Sequence, residues 1–171
     1  MKDEKIKKLC FTALLTALTF VFTAYLHIPS ANGYVHVGDG IIFLAACLLP
    51  VKYALFVGGT GALLADCLTG YAIFAPASVI IKCLSVLLFS SREEKIIQKR
   101  NLLALIGCAL LCVGGYFIYE ALVFGAGAAL GEITGNITQS VFSSVLFVVS
   151  GAALDRTGIG NSIKNSSITL R

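Results

Sequence analysis

Apolar runs separated by short polar segments organise the chain. A membrane-spanning helix needs about 20 apolar residues, so runs of this kind predict helices that cross a bilayer. The second run is too short to cross squarely, and it could be joined to the third across the segment 50–52, so the pattern allows five spans or six. The six runs cover residues 9–26, 40–49, 53–68, 75–89, 102–123 and 133–154.

The lysine and arginine residues decide between the two counts. Positively charged residues near helix ends stay on the cytoplasmic side of a membrane. With six spans and a cytoplasmic N-terminus, every Lys and Arg except Lys82 falls in an inner segment. Five spans would place the cations of the segment 92–100 outside. The charge pattern therefore predicts six spans, with both termini cytoplasmic and a short second helix that is tilted or shielded by its neighbours.

Composition supports an all-α membrane protein without a separate soluble domain. The 171 residues are 57% hydrophobic and 13% charged, with a net charge of +4 and a mean hydropathy of +0.90. This leaves too little polar surface for a water-soluble globule. The expected organisation is a cytoplasmic N-terminus at 1–8, a six-helix membrane domain at 9–154 and a polar cytoplasmic tail at 155–171. The Ser- and Asn-rich part from residue 157 onward is expected to be disordered.

The positions of the cations and cysteines disfavour several classes of ligand. The cations lie in short segments between apolar runs instead of forming one basic face with aromatics, so we expect no nucleic acid partner. The cysteines lie inside apolar runs, without a C-x-x-C pair or a histidine at metal-ligand spacing, so we expect buried thiols and no metal site. Nothing in the sequence indicates a cofactor.

Ionisable and amide side chains within the runs are confined to the outer half of the predicted bundle. An ionisable group at the bilayer centre costs at least about 2.5 kcal/mol, so each one needs a partner or a function. A path for ions would carry polar groups through the full depth, whereas a one-sided cluster predicts a blind pocket that opens outward. The predicted substrate-binding residues are Asn32, Tyr34, His36, Asp39, Asp66, Tyr71, Lys82, Tyr116, Glu120, Asn136 and Gln139.

Some of these residues also have a structural interpretation, which the sequence leaves open. Asp39 stands at the start of the second run, where it could cap the free amides of a helix. Lys82 could form a structural ion pair with Asp66 or Glu120. Tyr34 could belong to an aromatic belt at the membrane interface.

Three segments carry the most specific pattern of the chain. They are NGYVHVGD at 32–39, GGTGALLAD at 58–66 and APASVIIK at 75–82. Together they resemble the substrate-binding subunit, or S component, of energy-coupling factor (ECF) transporters. The first run adds Ala13 and Ala17, whose spacing is similar to the small-residue motif that such subunits present to their transmembrane coupling protein.

The resemblance implies a six-helix S-component bundle in the plasma membrane that captures a vitamin-like molecule outside and delivers it inward. Two cytoplasmic ATPases would drive delivery through the coupling protein, and the chain itself has no G-x-x-x-x-G-K-[ST] loop for ATP. The motif form resembles subunits for hydroxymethylpyrimidine, pyridoxine or queuosine precursors. The excess of Asp39, Asp66 and Glu120 over Lys82 favours a cationic base, such as an aminomethyl deazaguanine of the queuosine type.

Two other classes of small membrane protein fit the sequence less well. An intramembrane metalloprotease needs a His-Glu-x-x-His motif, and a serine type needs a histidine at the depth of its serine; neither is present. A channel-like subunit would need polar residues along the inner half of the helices as well. We therefore expect a transport protein and not an enzyme.

Overall fold

The computed structural model describes residues 2–30, 33–91 and 94–168. Within these residues the regular structure is helical, apart from a two-stranded sheet between the first two helices and a 3₁₀ turn at Ala72–Phe74. The strands are β1 (His27–Pro29) and β2 (Tyr34–His36). The helices are α1 (Lys2–Ala24), α2 (Asp39–Leu48), α3 (Val51–Leu68), α4 (Ala75–Leu88), α5 (Lys99–Val123), α6 (Ala126–Thr157) and α7 (Ile159–Ile168).

The first six helices correspond to the six apolar runs. Helices α1, α3, α5 and α6 are each long and apolar enough to cross a membrane, while α2 and α4 are shorter apolar helices. Large apolar side chains are exposed on the outside of the bundle, including Leu110, Ile118 and Val149. A surface of this kind suits contact with lipid and would be unfavourable in water. The predicted all-α membrane fold with a short second helix is confirmed.

Helix α2 lies in the interior of the bundle. Each of its residues from Asp39 to Leu48 is buried, and it packs against α1, α3, α4 and α6. A helix that is apolar on all sides needs cover on all sides. Protein supplies that cover here, so the helix does not need the length of a lipid-exposed span. Of the two predicted explanations for its short length, shielding by neighbours is therefore confirmed.

Helix α1 has one face that packs on α3 and one that is exposed. At the contact, a Cβ atom on Gly61 would come within 2.6 Å of the Thr19 side chain, so glycine permits the close approach of the two helices. Ala13 and Ala17 lie on the exposed face. Among the described residues of α1, those that are buried are Ala24 and four threonines, namely Thr12, Thr16, Thr19 and Thr23.

The segment between α1 and α2 forms a β-hairpin that was not predicted. Strands β1 and β2 pair antiparallel, with His27 opposite His36. The hairpin is attached to α6, because the His36 backbone N–H donates to Gln139 Oε1 at 3.4 Å and the Ser143 hydroxyl donates to the His36 carbonyl at 3.5 Å. Strands of three residues are too short to produce a readable alternation of polar and apolar positions.

The C-terminal tail is helical where we expected disorder. Helix α7 follows Gly158, whose φ of +70° reverses the chain after α6. It packs against α1, α2 and α6, and Lys164, only 4% exposed, donates from Nζ to the Glu94 carbonyl at 3.2 Å. The prediction of a disordered tail is therefore wrong over Ile159–Ile168. Burial of one edge of α7 against these three helices outweighs its polar composition.

Candidate functional site

A polar cavity of about 30 Å³, here called the outer cavity after its predicted orientation, lies where the hairpin meets the adjacent ends of α3, α4, α5 and α6. A water molecule requires about 10 to 15 Å³ by this measure, so the observed conformation has room for roughly two. A larger ligand must therefore displace lining side chains when it enters. The lining residues are Tyr34, His36, Asp66, Phe74, Ser78, Tyr116, Glu120, Glu132, Asn136 and Gln139.

Most of the residues selected from the sequence meet at this cavity. The exceptions are Asp39 and Lys82, which lie beneath it, Tyr71, which contacts Tyr34 from behind, and Asn32, which is outside the described residues. The cavity brings together Tyr34, His36, Asp66, Tyr116, Glu120, Asn136 and Gln139.

Tyr34 and Asp66 join the hairpin to α3 on one side of the cavity. The Tyr34 hydroxyl donates to Asp66 Oδ1 at 2.5 Å. Burial, reinforced by the negative charge of Asp66, raises the pKa of Tyr34, which therefore remains a neutral donor. Asp66 is 3% exposed, and its Oδ2 atom has no hydrogen-bond partner among the described residues.

Aromatic rings continue from Tyr34 across the end of the bundle that carries the hairpin. The ring centroids of Tyr34 and Tyr71 are 4.6 Å apart, and those of Tyr71 and Phe74 are 6.4 Å apart. Phe74 in turn lies 6.2 Å from Tyr119, whose hydroxyl donates to the Ile73 carbonyl. These contacts connect the hairpin, the turn before α4 and helix α5, and they give the cavity an aromatic wall.

An ion pair lies beneath the cavity. Lys82 Nζ donates to Asp39 Oδ2 at 2.9 Å, and both side chains are buried. Gln139 Nε2 donates to the same oxygen at 3.1 Å. Lys82 Nζ also lies 5.2 Å from the centroid of the Tyr116 ring, within the range of a cation–π interaction.

These contacts change two structural interpretations from the sequence. Lys82 pairs with Asp39 and not with Asp66 or Glu120. Asp39 does not cap α2 with its side chain, because that side chain points to Lys82 and Gln139 instead. Both members of the pair line a separate, deeper cavity of about 10 Å³.

His36 presents a neutral imidazole to the cavity. Its Nδ1 accepts a hydrogen bond from the Gly38 backbone N–H at 3.2 Å, which places the imidazole proton on Nε2. Burial lowers the pKa of His36 to about 4, despite the opposing effect of Asp39. At neutral pH His36 is therefore an uncharged donor.

Glu120 and Glu132 form the acidic side of the cavity. Glu120 is 3% exposed and Glu132 is 5% exposed, and they are close enough for their charges to interact. Asn136 lines the same cavity, and Glu120 Oε2 is buried without a partner among the described residues.

Three lining residues were not among those selected from the sequence. Phe74 ends the 3₁₀ turn before α4, Ser78 lies in the first turn of α4, and Glu132 lies in the first turns of α6. Ser78 makes a 2.8 Å hydrogen bond with the Tyr116 hydroxyl. Ser78 precedes Lys82 by four residues and Glu132 precedes Asn136 by four, so helical spacing was the signal that could have found both.

Comparison with known proteins identifies the family to which this chain belongs. Residues 3–156 match the family described as the ECF-type riboflavin transporter, S component. The chain belongs to this family. It is therefore an integral membrane subunit of a small-molecule transporter and not an enzyme, and the resemblance seen in the sequence is confirmed.

Two relatives of the S component extend the comparison. The thiamine precursor transporter HmpT of Lactococcus lactis subsp. cremoris (strain MG1363) is 33% identical over 169 residues, which cover 97% of this chain and 98% of the relative. An uncharacterized protein in gap 3'region of Pyrococcus woesei is 30% identical over 122 residues, covering 70% of this chain and 80% of the relative. These matches support uptake of a vitamin or vitamin precursor, and they do not support a queuosine precursor in particular.

Proposed function

We propose that this S component captures a small heteroaromatic vitamin precursor in the outer cavity, and that a hydroxymethylpyrimidine of the thiamine-precursor type is the first candidate. The observation that carries the proposal is the cavity itself. It combines the aromatic faces of Tyr34, Phe74 and Tyr116 with buried carboxylates. A flat ligand with several N–H or O–H donors complements both features.

The unpaired carboxylate oxygens define what the ligand has to supply. Asp66 Oδ2 and Glu120 Oε2 are buried acceptors without partners among the described residues. Buried polar atoms are normally hydrogen-bonded, because an unsatisfied one costs about 1 to 3 kcal/mol. A ligand that donates to these oxygens removes this cost on binding, which favours a base that carries amino groups.

The size of the cavity supports a compact ligand. At about 30 Å³ the cavity is small, so a single ring requires less displacement of the lining than a three-ring flavin does. The nearly full-length relative named a thiamine precursor transporter supports the same choice. Pyridoxine and queuosine precursors remain the alternatives, and the acidic lining suits an aminomethyl deazaguanine as well.

Delivery of the ligand is proposed to depend on partners. The exposed face of α1, with Ala13 and Ala17, offers small residues against which another transmembrane helix can pack closely. We assign this face to the transmembrane coupling protein, which in turn contacts two cytoplasmic ATPases. The positive-inside pattern supports an orientation with both termini in the cytoplasm and the cavity open to the outside.

Mass spectrometry of small molecules that copurify with the protein in detergent tests the capture step. We expect a heteroaromatic micronutrient in stoichiometric amount, with hydroxymethylpyrimidine first among the candidates. Uptake of the same compound into cells that contain the coupling protein and the ATPases tests delivery. Absence of any bound compound, together with no saturable binding of hydroxymethylpyrimidine, pyridoxine, aminomethyl deazaguanine or riboflavin, would refute the proposal.

A further inference from the structure

An apolar groove of about 370 Å³ lies on the side of the bundle between α5 and α6. We call it the α5–α6 groove; residues 105–113 of α5 and 137–145 of α6 supply its lining. Both serines in the lining, Ser140 and Ser144, donate their hydroxyls to carbonyls within α6. Ile106 and Val145 are exposed large apolar side chains of the lining. In a membrane the groove therefore faces hydrocarbon and suits an apolar chain.

Two exposed cations stand beyond the groove at the end of the bundle opposite the hairpin. Lys99 is the first residue of α5, and Arg156 is in the last turn of α6. Lys99, Ile106 and Val113 are spaced by seven residues, so Lys99 lies on the side of α5 that lines the groove. Arg156 follows Val145 by eleven residues, or about three turns, and lies on the corresponding side of α6.

Backbone hydrogen bonds hold these two helix ends together. The Asp155 carboxylate accepts from the backbone N–H groups of Ile96, at 2.8 Å, and Ile97, at 2.9 Å. The segment that leads into α5 is thereby fixed to the last turn of α6, and Asp155 is engaged with backbone donors. Among the residues that the structure describes, neither Lys99 nor Arg156 has an ion-pair partner. Both cations are therefore available to an anion from outside the chain.

The surroundings of the two cations favour an anion as well. Lys95 and Arg100 are exposed at the same end, beside one exposed acid, Glu94. Gln98 Nε2, directly before α5, is a buried donor without a partner in the described part of the chain. Helix α5 begins without a side-chain cap, and the backbone N–H groups of a first turn attract anions. A phosphate complements this end as an acyl chain complements the groove.

A second apolar groove provides an internal comparison. It lies between α4 and α5, has a volume of about 260 Å³, and is lined on α5 by residues 111–122. Residues 102–123 contain no Lys or Arg, and Lys82 of α4 is buried in its pair with Asp39. This groove can accept an apolar chain, but nothing beside it selects a negatively charged headgroup.

We propose that the α5–α6 groove binds an anionic phospholipid, with one acyl chain along the groove and the phosphate at Lys99 and Arg156. The site is separate from the outer cavity and does not depend on the ligand captured there. It also lies apart from the exposed face of α1, which packs against α2, α3 and α7. The charge at its end distinguishes a lipid from a partner helix, which would need only the apolar part.

An acyl chain in this groove would cover the side of the deeper cavity. The two cavities share four residues, namely Leu105, Ala109, Ser140 and Ser144. Behind these residues lies the ion pair of Lys82 and Asp39. A lipid that binds the folded bundle here should also stabilise it against unfolding.

Two lipids with the same chains test the selection of charge, dioleoyl phosphatidylglycerol and dioleoyl phosphatidylcholine. Native mass spectrometry of the full-length protein in a nonionic detergent at low ionic strength gives the dissociation constant of the first bound lipid. A cation close to an anionic lipid contributes about fivefold in affinity, so two cations predict a preference of about thirtyfold for phosphatidylglycerol. Phosphatidylglycerol should also raise the melting temperature more than phosphatidylcholine does.

Charge-removing variants locate the headgroup. In Lys99→Gln/Arg156→Gln we expect the preference to fall below about fivefold, mainly through weaker binding of phosphatidylglycerol. Lys5→Gln/Lys7→Gln is the matched control, because it removes two exposed cations from α1 at the same end of the bundle. It should leave the preference within about twofold of the wild type. Melting temperatures without added lipid establish that both variants are folded.

Variants of the two grooves locate the acyl chain. Val113→Trp fills part of the α5–α6 groove and should weaken the first bound phosphatidylglycerol by about tenfold. Ile118→Trp, in the groove between α4 and α5, should leave that binding unchanged. Millimolar inorganic phosphate, which has no acyl chain, should not displace the lipid.

Each unexpected result overturns the proposal. Equal binding of the two lipids by the wild type, or full preference in Lys99→Gln/Arg156→Gln, would exclude a headgroup at these cations. An equal loss of preference in the α1 control would show attraction to the overall positive charge instead of a site. Unchanged binding in Val113→Trp, or displacement by phosphate alone, would exclude the acyl chain from the groove.

Discussion

Replacing Lys82 by Met should destabilise the protein strongly without removing its ligand site. Lys82 and Asp39 are both buried and joined at 2.9 Å, and the remaining donor to Asp39 Oδ2 is Gln139 at 3.1 Å. Removing the cation leaves the Asp39 carboxylate buried without its counter-charge. Breaking a buried pair in this way costs about 3 to 5 kcal/mol.

The double variant Lys82→Met/Asp39→Asn gives this prediction its internal control. It removes both charges and retains an amide oxygen that can still accept from Gln139. Replacing a buried ion pair by uncharged groups is often close to neutral, so most of the lost stability should return. The free energy of unfolding or the melting temperature in detergent, measured without ligand for the wild type, both single variants and the double variant, completes a double-mutant cycle.

Ligand affinity distinguishes a structural pair from a direct contact. Lys82 and Asp39 line the deeper cavity and not the outer one, so the folded fraction of Lys82→Met should bind within a few-fold of the wild type. A loss of about 1.4 kcal/mol or more, equivalent to tenfold in the dissociation constant, would show that Lys82 reaches the ligand. A single variant as stable as the wild type, or a double variant no better than the worse single one, would refute the reasoning about the ion pair.

Three further predictions concern coupling, pH and topology. Ala13→Leu or Ala17→Leu should abolish uptake while leaving the dissociation constant unchanged, and normal uptake in both would exclude this face as the coupling surface. The lowered pKa of His36 means that the unfolded chain binds its proton first, so stability on the order of 3 kcal/mol should be lost as pH falls from 6.5 to about 4. Melting temperatures of wild type and His36→Asn should diverge over that interval, and parallel curves would contradict it. On a cysteine-free background, a cysteine at Tyr71 should react with an impermeant reagent in intact cells and one at Lys95 should not; labelling at Lys95 would overturn the six-span orientation.

The sequence predicted the features that depend only on where a residue lies along the chain. The six helices follow from apolar length. The cations of the segment 92–100 favour six spans over five, and that count stays a prediction. The collection of polar residues at one end of the bundle was also visible, because depth in the membrane depends mainly on distance from a helix end. Residues as far apart as Tyr34 and Asn136 were therefore selected together, and the structure places both at one cavity.

The features that the sequence did not predict depend on how helices are rotated and on packing between distant segments. The partner of Lys82 is Asp39, because α2 is inserted into the middle of the bundle, and hydropathy carries no information on that insertion. Glu132 was missed because α6 begins at Ala126, whereas the apolar run begins at residue 133. Helix α7 has too few apolar residues to be expected to fold alone, and contacts with α1, α2 and α6 hold it in place.

The position of Gln139 connects the two levels of the site. Its Nε2 donates to Asp39 in the ion pair below, and its Oε1 accepts from the backbone of His36 in the hairpin above. Tyr34, which lines the cavity, belongs to the same three-residue strand as His36. A continuous set of contacts therefore runs from the lining of the cavity through Gln139 to the ion pair on α2, and α2 packs against α1, the helix that we propose for contact with the coupling protein.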